Sequence, residues 1–210
     1  MFCILRSAAI ALLTLAAANA SVFRFDTDPF AGSTALTTPG RQVVGGETFI
    51  NFNIASDIFQ FESTVFNAGN QVHFINAVAP SLPTGGVNII ALQSFDDDAN
   101  PATPFAAGNA ANLIAAQITT PGAGFFIYFN QGLDLPRLVY STDLNDNTAD
   151  LKILARMLNL NGQAGRDAFP TFSAANFEFT TAPEPGALWT VISAGVLLAG
   201  YKLRRQRTRG

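Results

Sequence analysis

The chain has a single cysteine, Cys3, and a single histidine, His73, among 210 residues. With its thiol at position 3, the rest of the chain can form no disulfide and offers no thiol nucleophile. One histidine cannot build a His-rich zinc site. Nothing matches a G-x-x-x-x-G-K loop, so Gly40, Gly45, Gly46, Gly85, Gly86, Gly122 and Gly124 read as turn residues, not as a phosphate cradle. No apolar run reaches the ~20 residues of a full membrane span, and no long internal repeat is apparent.

The ends of the chain carry its clearest signals. Arg6 is followed by an apolar run from Ala8 to Ala18 and then by Ala18, Asn19 and Ala20, whose small-x-small pattern suits signal peptidase. Residues 1–20 therefore read as a signal peptide cleaved between Ala20 and Ser21. The run is short for a retained anchor, and Cys3 lies too early to be the acylated cysteine of a lipoprotein. At the other end, Pro183, Glu184 and Pro185 precede an apolar stretch from Ala187 to Tyr201 and the basic residues Lys202, Arg204, Arg205, Arg207 and Arg209. An apolar helix over 187–201 with a basic end is a stop-transfer arrangement that keeps the tail inside and sends the domain across the membrane. The prolines hold the backbone extended just before that helix, where a processing enzyme could reach it. As a helix, 15 apolar residues rise ~22 Å, less than the ~30 Å hydrocarbon core.

Pro183-Glu184-Pro185, the short apolar helix and the Arg-rich end together resemble the PEP-CTERM sorting signal of Gram-negative bacteria. The resemblance covers about the last 30 residues, 183–210. It implies an exosortase substrate: a protein exported across the inner membrane, anchored there transiently, then processed and passed to the cell surface or the extracellular matrix. Signal peptidase and exosortase are the implied processing partners. A softer resemblance covers Leu135 to Phe179, which is similar to a block near the C-terminus of other small PEP-CTERM domains and implies no particular chemistry.

Processing would change the charge. Of the 12 Lys and Arg, Arg6 and the five tail residues leave, so six remain; of the 15 acids only Glu184 leaves. The domain 21–182 then has a formal charge of about −8 with His73 neutral. That balance argues against nucleic acid as a partner, which needs a basic face to neutralise phosphates, while cations are compatible. About 160 residues can bury a core without covalent staples.

Between the signals, short runs of β-branched and aromatic residues are broken by Gly, Pro, Asn and Asp. Candidate strands are Val22 to Phe25, Thr48 to Ile54, Ile58 to Phe66, Val72 to Asn76, Val87 to Phe95, Phe125 to Phe129, Arg137 to Thr142 and Asn176 to Thr180. Ile50, Phe52 and Ile54 alternate with Asn51 and Asn53, and Phe59, Phe61 and Val65 oppose Gln60, Glu62 and Thr64, as in half-buried strands. The 19 phenylalanines, mostly at such positions, read as core. The expected fold is mainly β: an antiparallel β-sandwich, jelly-roll-like or Ig-like, with at most one or two short helices besides the signal and tail helices. Asn109 to Ile118 is the candidate helix. Asp150 to Leu158 has helix propensities but lies between strand candidates, and its position favours strand.

Candidate chemistry is sparse. His73 would be the only histidine general base, yet no Ser or acid motif accompanies it, and a structural or surface role is the simpler reading. Asp96, Asp97, Asp98 and Asn100 form the densest acidic cluster, in a loop after a strand, where closely spaced carboxylates could share Ca²⁺. Asp143, Asn145, Asp146, Asn147 and Asp150 offer a second set of oxygens but lack the Gly and final Glu of an EF-hand loop. No cofactor other than Ca²⁺ is suggested. The expected role is non-enzymatic, in biofilm or exopolysaccharide association at the cell surface. The alternatives are a calcium-stabilised carbohydrate-binding module, and a secreted hydrolase whose paired carboxylates stand ~5–10 Å apart.

Overall fold

The computed structural model describes residues 20–100 and 102–181. The expected signal helix, Pro183-Glu184-Pro185, the 187–201 helix and the basic tail lie outside them. Among the described residues no helix is long and apolar enough to cross a membrane.

The architecture is mainly β: the described residues contain ten strands in two sheets. The small sheet joins β1 (Val22–Phe25), β4 (Ile58–Glu62) and β10 (Phe177–Thr180), with β4 in the middle. The large sheet contains β2 (Val43–Val44), β3 (Thr48–Ile50), β5 (Phe74–Ala77), β6 (Ile89–Leu92), β7 (Gly124–Asn130), β8 (Leu135–Ser141) and β9 (Leu151–Met157). Its order is β2-β9-β8-β7-β6-β5, and β3 also pairs with β9. Asp150 to Leu158 is thus a strand, as its position suggested.

Antiparallel pairing, expected throughout, is confined to β7–β8 and β8–β9; every other pairing is parallel. The reason lies in burial. Antiparallel sheets tolerate one wet face, whereas parallel strands are usually covered on both. All of β6 and β7 is buried, with Phe125, Ile127 and Phe129 on one side of the sheet and Phe126 and Tyr128 on the other. A parallel β6–β7 pair also needs a long crossover. The segment between Leu92 and Gly124 supplies it, with helix α2 (Ala107–Ala115) laid on the sheet through Ala110 and Ile114.

There are also more helices than expected. Helix α1 (Ser63–Phe66) ends the run that alternation would have continued as strand, and α3 (Gly162–Ala168) follows β9; three single 3₁₀ turns accompany them among the described residues. Asn67, at φ +50°, closes α1 in the left-handed conformation that Asn tolerates. Gly165 is required within α3, because a Cβ there would stand 2.0 Å from the Leu160 carbonyl oxygen.

The large sheet therefore has a core on each face. One is aromatic: Phe61 of β4 stacks on Phe125, and Phe52 stacks on Phe59 with ring centroids 4.2 Å apart. The other joins Ile90, Leu92 and Tyr128 to α2 and Phe105. Ile50 and Phe52 are buried and Asn51 and Asn53 exposed, as the alternation predicted. Glu62, expected on the wet face, is only 4% exposed, and Arg24 approaches it at 3.8 Å.

Candidate functional site

The acidic loop begins where β6 ends. Gln131, just after β7, ties both ends of this loop: its Nε2 donates to the Phe95 carbonyl at 2.6 Å, and its Oε1 accepts from Phe105 N at 2.8 Å. Asp96, Asp97 and Asp98 thereby stand beyond the carboxyl ends of β6 and β7. In open parallel sheets that is the usual place for ligands.

All three carboxylates are exposed, and one oxygen from each lies within 4.8 Å of the others. Each is also held by the loop. Asp96 Oδ1 accepts from Asp98 N and Ala99 N, both at 3.1 Å. Asp98 accepts from Asn100 N at 2.9 Å and from the Thr103 hydroxyl at 2.6 Å. Asp97 Oδ2 accepts from Asn109 Nδ2 at 2.7 Å, which joins the loop to α2. The Asn100 side-chain oxygen accepts from Ala102 N at 3.1 Å. The Thr103 and Asn100 hydrogen bonds hold the Asp98 carboxyl below its ordinary range. These bonds are those of consecutive Asx turns, which short carboxylates form readily. Carboxylate oxygens with lone pairs to spare could still face a hard cation.

The second acidic group is not brought together. Asp143 Oδ1 accepts from Gly122 N and Asn145 N, and Asp146 Oδ1 from Thr148. Asp150 is buried and accepts from Leu36 N at 2.7 Å and Gln42 N at 2.6 Å, fixing the segment that leads into β2. Each serves a different turn or loop.

His73 is exposed and borders a cleft of about 360 Å³ with Asn67, Asn88, Thr120 and several glycines. None of the lining residues is Asp or Glu. Its backbone is fixed through Asn88, whose Oδ1 accepts from His73 N at 2.9 Å and whose Nδ2 donates to the Ala68 and Gln71 carbonyls. Asn88 thus organises this cleft as a structural clamp.

The most tightly organised charges were not singled out from the sequence. Glu47, between β2 and β3, accepts on one oxygen from both Arg137 of β8 and Arg156 of β9. Those two arginines face each other across the strands, and the Tyr128 hydroxyl lies beside Arg137. Burial pushes the Glu47 carboxyl up, but hydrogen bonds from its own backbone and from the arginines prevail and bring it to about 2. Separations of 90 and 109 residues hide this cluster from any local motif.

Of the expected cleavage residues, Ala18 lies outside the described residues, while Ala20 and Ser21 lead directly into β1. No family model, no curated protein and no solved structure matches this chain.

Proposed function

We propose that this chain is an exported protein of a Gram-negative bacterium that works without catalysis at the cell surface or in the exopolysaccharide matrix of a biofilm. The carrying observation is the ordered set of Pro183-Glu184-Pro185, an apolar stretch over 187–201 and a basic end, joined to an N-terminal signal peptide. In this reading the tail is an address label, resembling PEP-CTERM signals, that exosortase removes. The acidic domain is the cargo, and its two stacked sheets form a β-sandwich whose parallel strands set it apart from the jelly-roll and Ig-like patterns.

Mass spectrometry of the protein from its native host should find an N-terminus at Ser21 and a C-terminus between Pro183 and Gly186. Replacing Pro183, Glu184 and Pro185 by alanine should leave the tail attached in nearly all molecules. A wild-type mature protein that still contains Arg205 would reject processing.

The closeness of Asp96, Asp97 and Asp98 favours one second reading, a carbohydrate-binding module whose loop is stabilised by Ca²⁺. With millimolar Ca²⁺ the Tm should rise by several degrees, roughly as expected for a ligand present at 100 times its Kd, which contributes about 2.7 kcal/mol. Asp97→Asn should abolish the rise. Identical melts in calcium and in EDTA would remove the metal from the account.

A further inference from the structure

Asp57 is 4% exposed and stands immediately before β4, the central strand of the small sheet. Its carboxylate accepts from Asn53 N at 2.8 Å, from the Ser56 hydroxyl at 3.2 Å and from Ser21 N at 2.9 Å. Ser21 is held at a second point, since its carbonyl accepts from Ile58 N at 2.9 Å, the first link of the β1–β4 pair. Among the described residues no Lys, Arg or His side chain pairs with Asp57. A buried carboxylate held only by neutral donors is unusual, because buried charges are normally paired.

The position of its third donor resolves this. Cleavage between Ala20 and Ser21 would turn Ser21 N, which sits 2.9 Å from Asp57 Oδ1, from a peptide nitrogen into an α-ammonium. We propose that Asp57 is a built receptor for the α-ammonium that signal-peptide cleavage creates, so that export completes a buried ion pair and locks β1 onto β4. The inference rests on the export reading, and in particular on cleavage before Ser21.

The balance of the step is simple. Hydrolysis of the Ala20–Ser21 peptide bond gives the carboxylate of Ala20 on the departing signal peptide and a protonated amine on Ser21. The amine keeps its hydrogen bond to Asp57 Oδ1 and gains a full positive charge. The bond, already charge-assisted through the ionised acceptor, becomes a full ion pair with both partners charged. Because Ser21 itself is exposed, the ammonium retains water on its other side and adds little desolvation. Burial raises the Asp57 carboxyl, and the bonds from Asn53, Ser21 and Ser56 outweigh it, so the group is already ionised and waiting for a cation.

The test uses the exported protein, purified from a Gram-negative host, beside a variant with Gly and Ser inserted between Ala20 and Ser21. Cleavage after Ala20 in that variant leaves the ammonium two residues upstream of its receptor while preserving the Ser21 peptide nitrogen. N-terminal sequencing comes first, followed by melts of each protein before and after acetylation of amines. Lys152 is acetylated alike in both, so any difference belongs to the N-terminus. Acetylation should lower the Tm of the wild type by about 3 to 6 °C, a typical response of a domain this size to the loss of one strong interaction. The extended variant should start lower by a similar amount and respond to acetylation by less than about 1 °C. Equal melting temperatures and equal responses would overturn the receptor and leave the export reading standing. A wild-type N-terminus that still carries residues 1–20 would overturn both, and one cleaved at any other residue would overturn the receptor alone.

Discussion

Glu47→Ala is expected to lower the stability of the domain by about 3 to 5 kcal/mol, on the order of 10 °C in Tm. The magnitude follows from what the substitution leaves behind. Arg137 and Arg156 are directly opposed on β8 and β9, and their side chains are only 14% and 28% exposed. Like charges directly opposite on a sheet repel, and here one carboxylate oxygen neutralises both. Removing it leaves two guanidinium groups together in a largely dry place. It also releases the segment between β2 and β3, so the short strands that cover the outer edge of β9 lose an anchor. Glu47→Gln, which keeps the shape and removes the charge, should cost nearly as much. The acid limb of the stability profile gives a second readout. The carboxyl is depressed from 4.5 to about 2, so its contribution is fully present above 4.5 and is lost as pH falls towards 2. That loss amounts to about 3 kcal/mol, and Glu47→Gln should lack it. Parallel acid limbs for the wild type and Glu47→Gln would mean that the cluster does not hold these strands together.

The cluster also shows where a sequence stops being informative. Ile50 and Phe52 against Asn51 and Asn53, or Phe59 and Phe61 against Gln60, announce which side of a strand is wet, because side chains alternate with period two whatever the partner. The same period serves parallel and antiparallel neighbours equally, so pairing direction is not encoded there. It is decided by burial: once α2 covers one face of β7 and β4 covers the other, parallel neighbours are as well protected as antiparallel ones. Leu151 to Met157 favours helix by propensity, yet it is strand, because β8 on one edge and β2 and β3 on the other offer backbone partners to every residue of it but Leu154. In Ser63 to Phe66 the error runs the other way, since a four-residue turn can carry Val65 and Phe66 to the core without further strand.

Site residues follow the same division. Asp96, Asp97 and Asp98 are adjacent in the chain, so their proximity was legible, whereas the clamp that places them, Gln131, comes from the far end of β7. Asp143, Asp146 and Asp150 look like a set when written in a row, but Asp146 turns to its own loop, as short carboxylates tend to do, while Asp150 reaches the backbone of Leu36 and Gln42, 114 and 108 residues away. The receptor at Asp57 lies between these cases. The small-x-small pattern of Ala18, Asn19 and Ala20 suggests cleavage before Ser21, but that Ser21 N meets a buried carboxylate 36 residues away is a property of the β1–β4 register.

Phe61→Ala carries the second large effect, because Phe61 is where the two sheets meet. The ring is fully buried and stacks on Phe125 of β7 with centroids 3.7 Å apart and planes at 15°. Phe66 meets its edge, and Phe25 and Phe179 flank it from the neighbouring strands β1 and β10. Truncation removes the transfer free energy of the ring and leaves a cavity that four other rings cannot close without leaving their own positions. The expected cost is about 3 to 5 kcal/mol, against about 0.5 kcal/mol for Phe49→Ala, whose ring is 60% exposed beneath Arg156. Denaturant melts of both variants decide the point, and a Phe61→Ala cost below about 1 kcal/mol would mean that the small sheet does not bear on the large one. The damage should not be local. Among the described residues, strands β1 and β10 pair with β4 alone, and they lie near the two ends of the described chain. Loosening β4 therefore loosens both of these strands at once. Phe61→Ala should accordingly reduce the Tm difference between free and acetylated Ser21, because an ion pair contributes only while the strand presenting Asp57 is held in place.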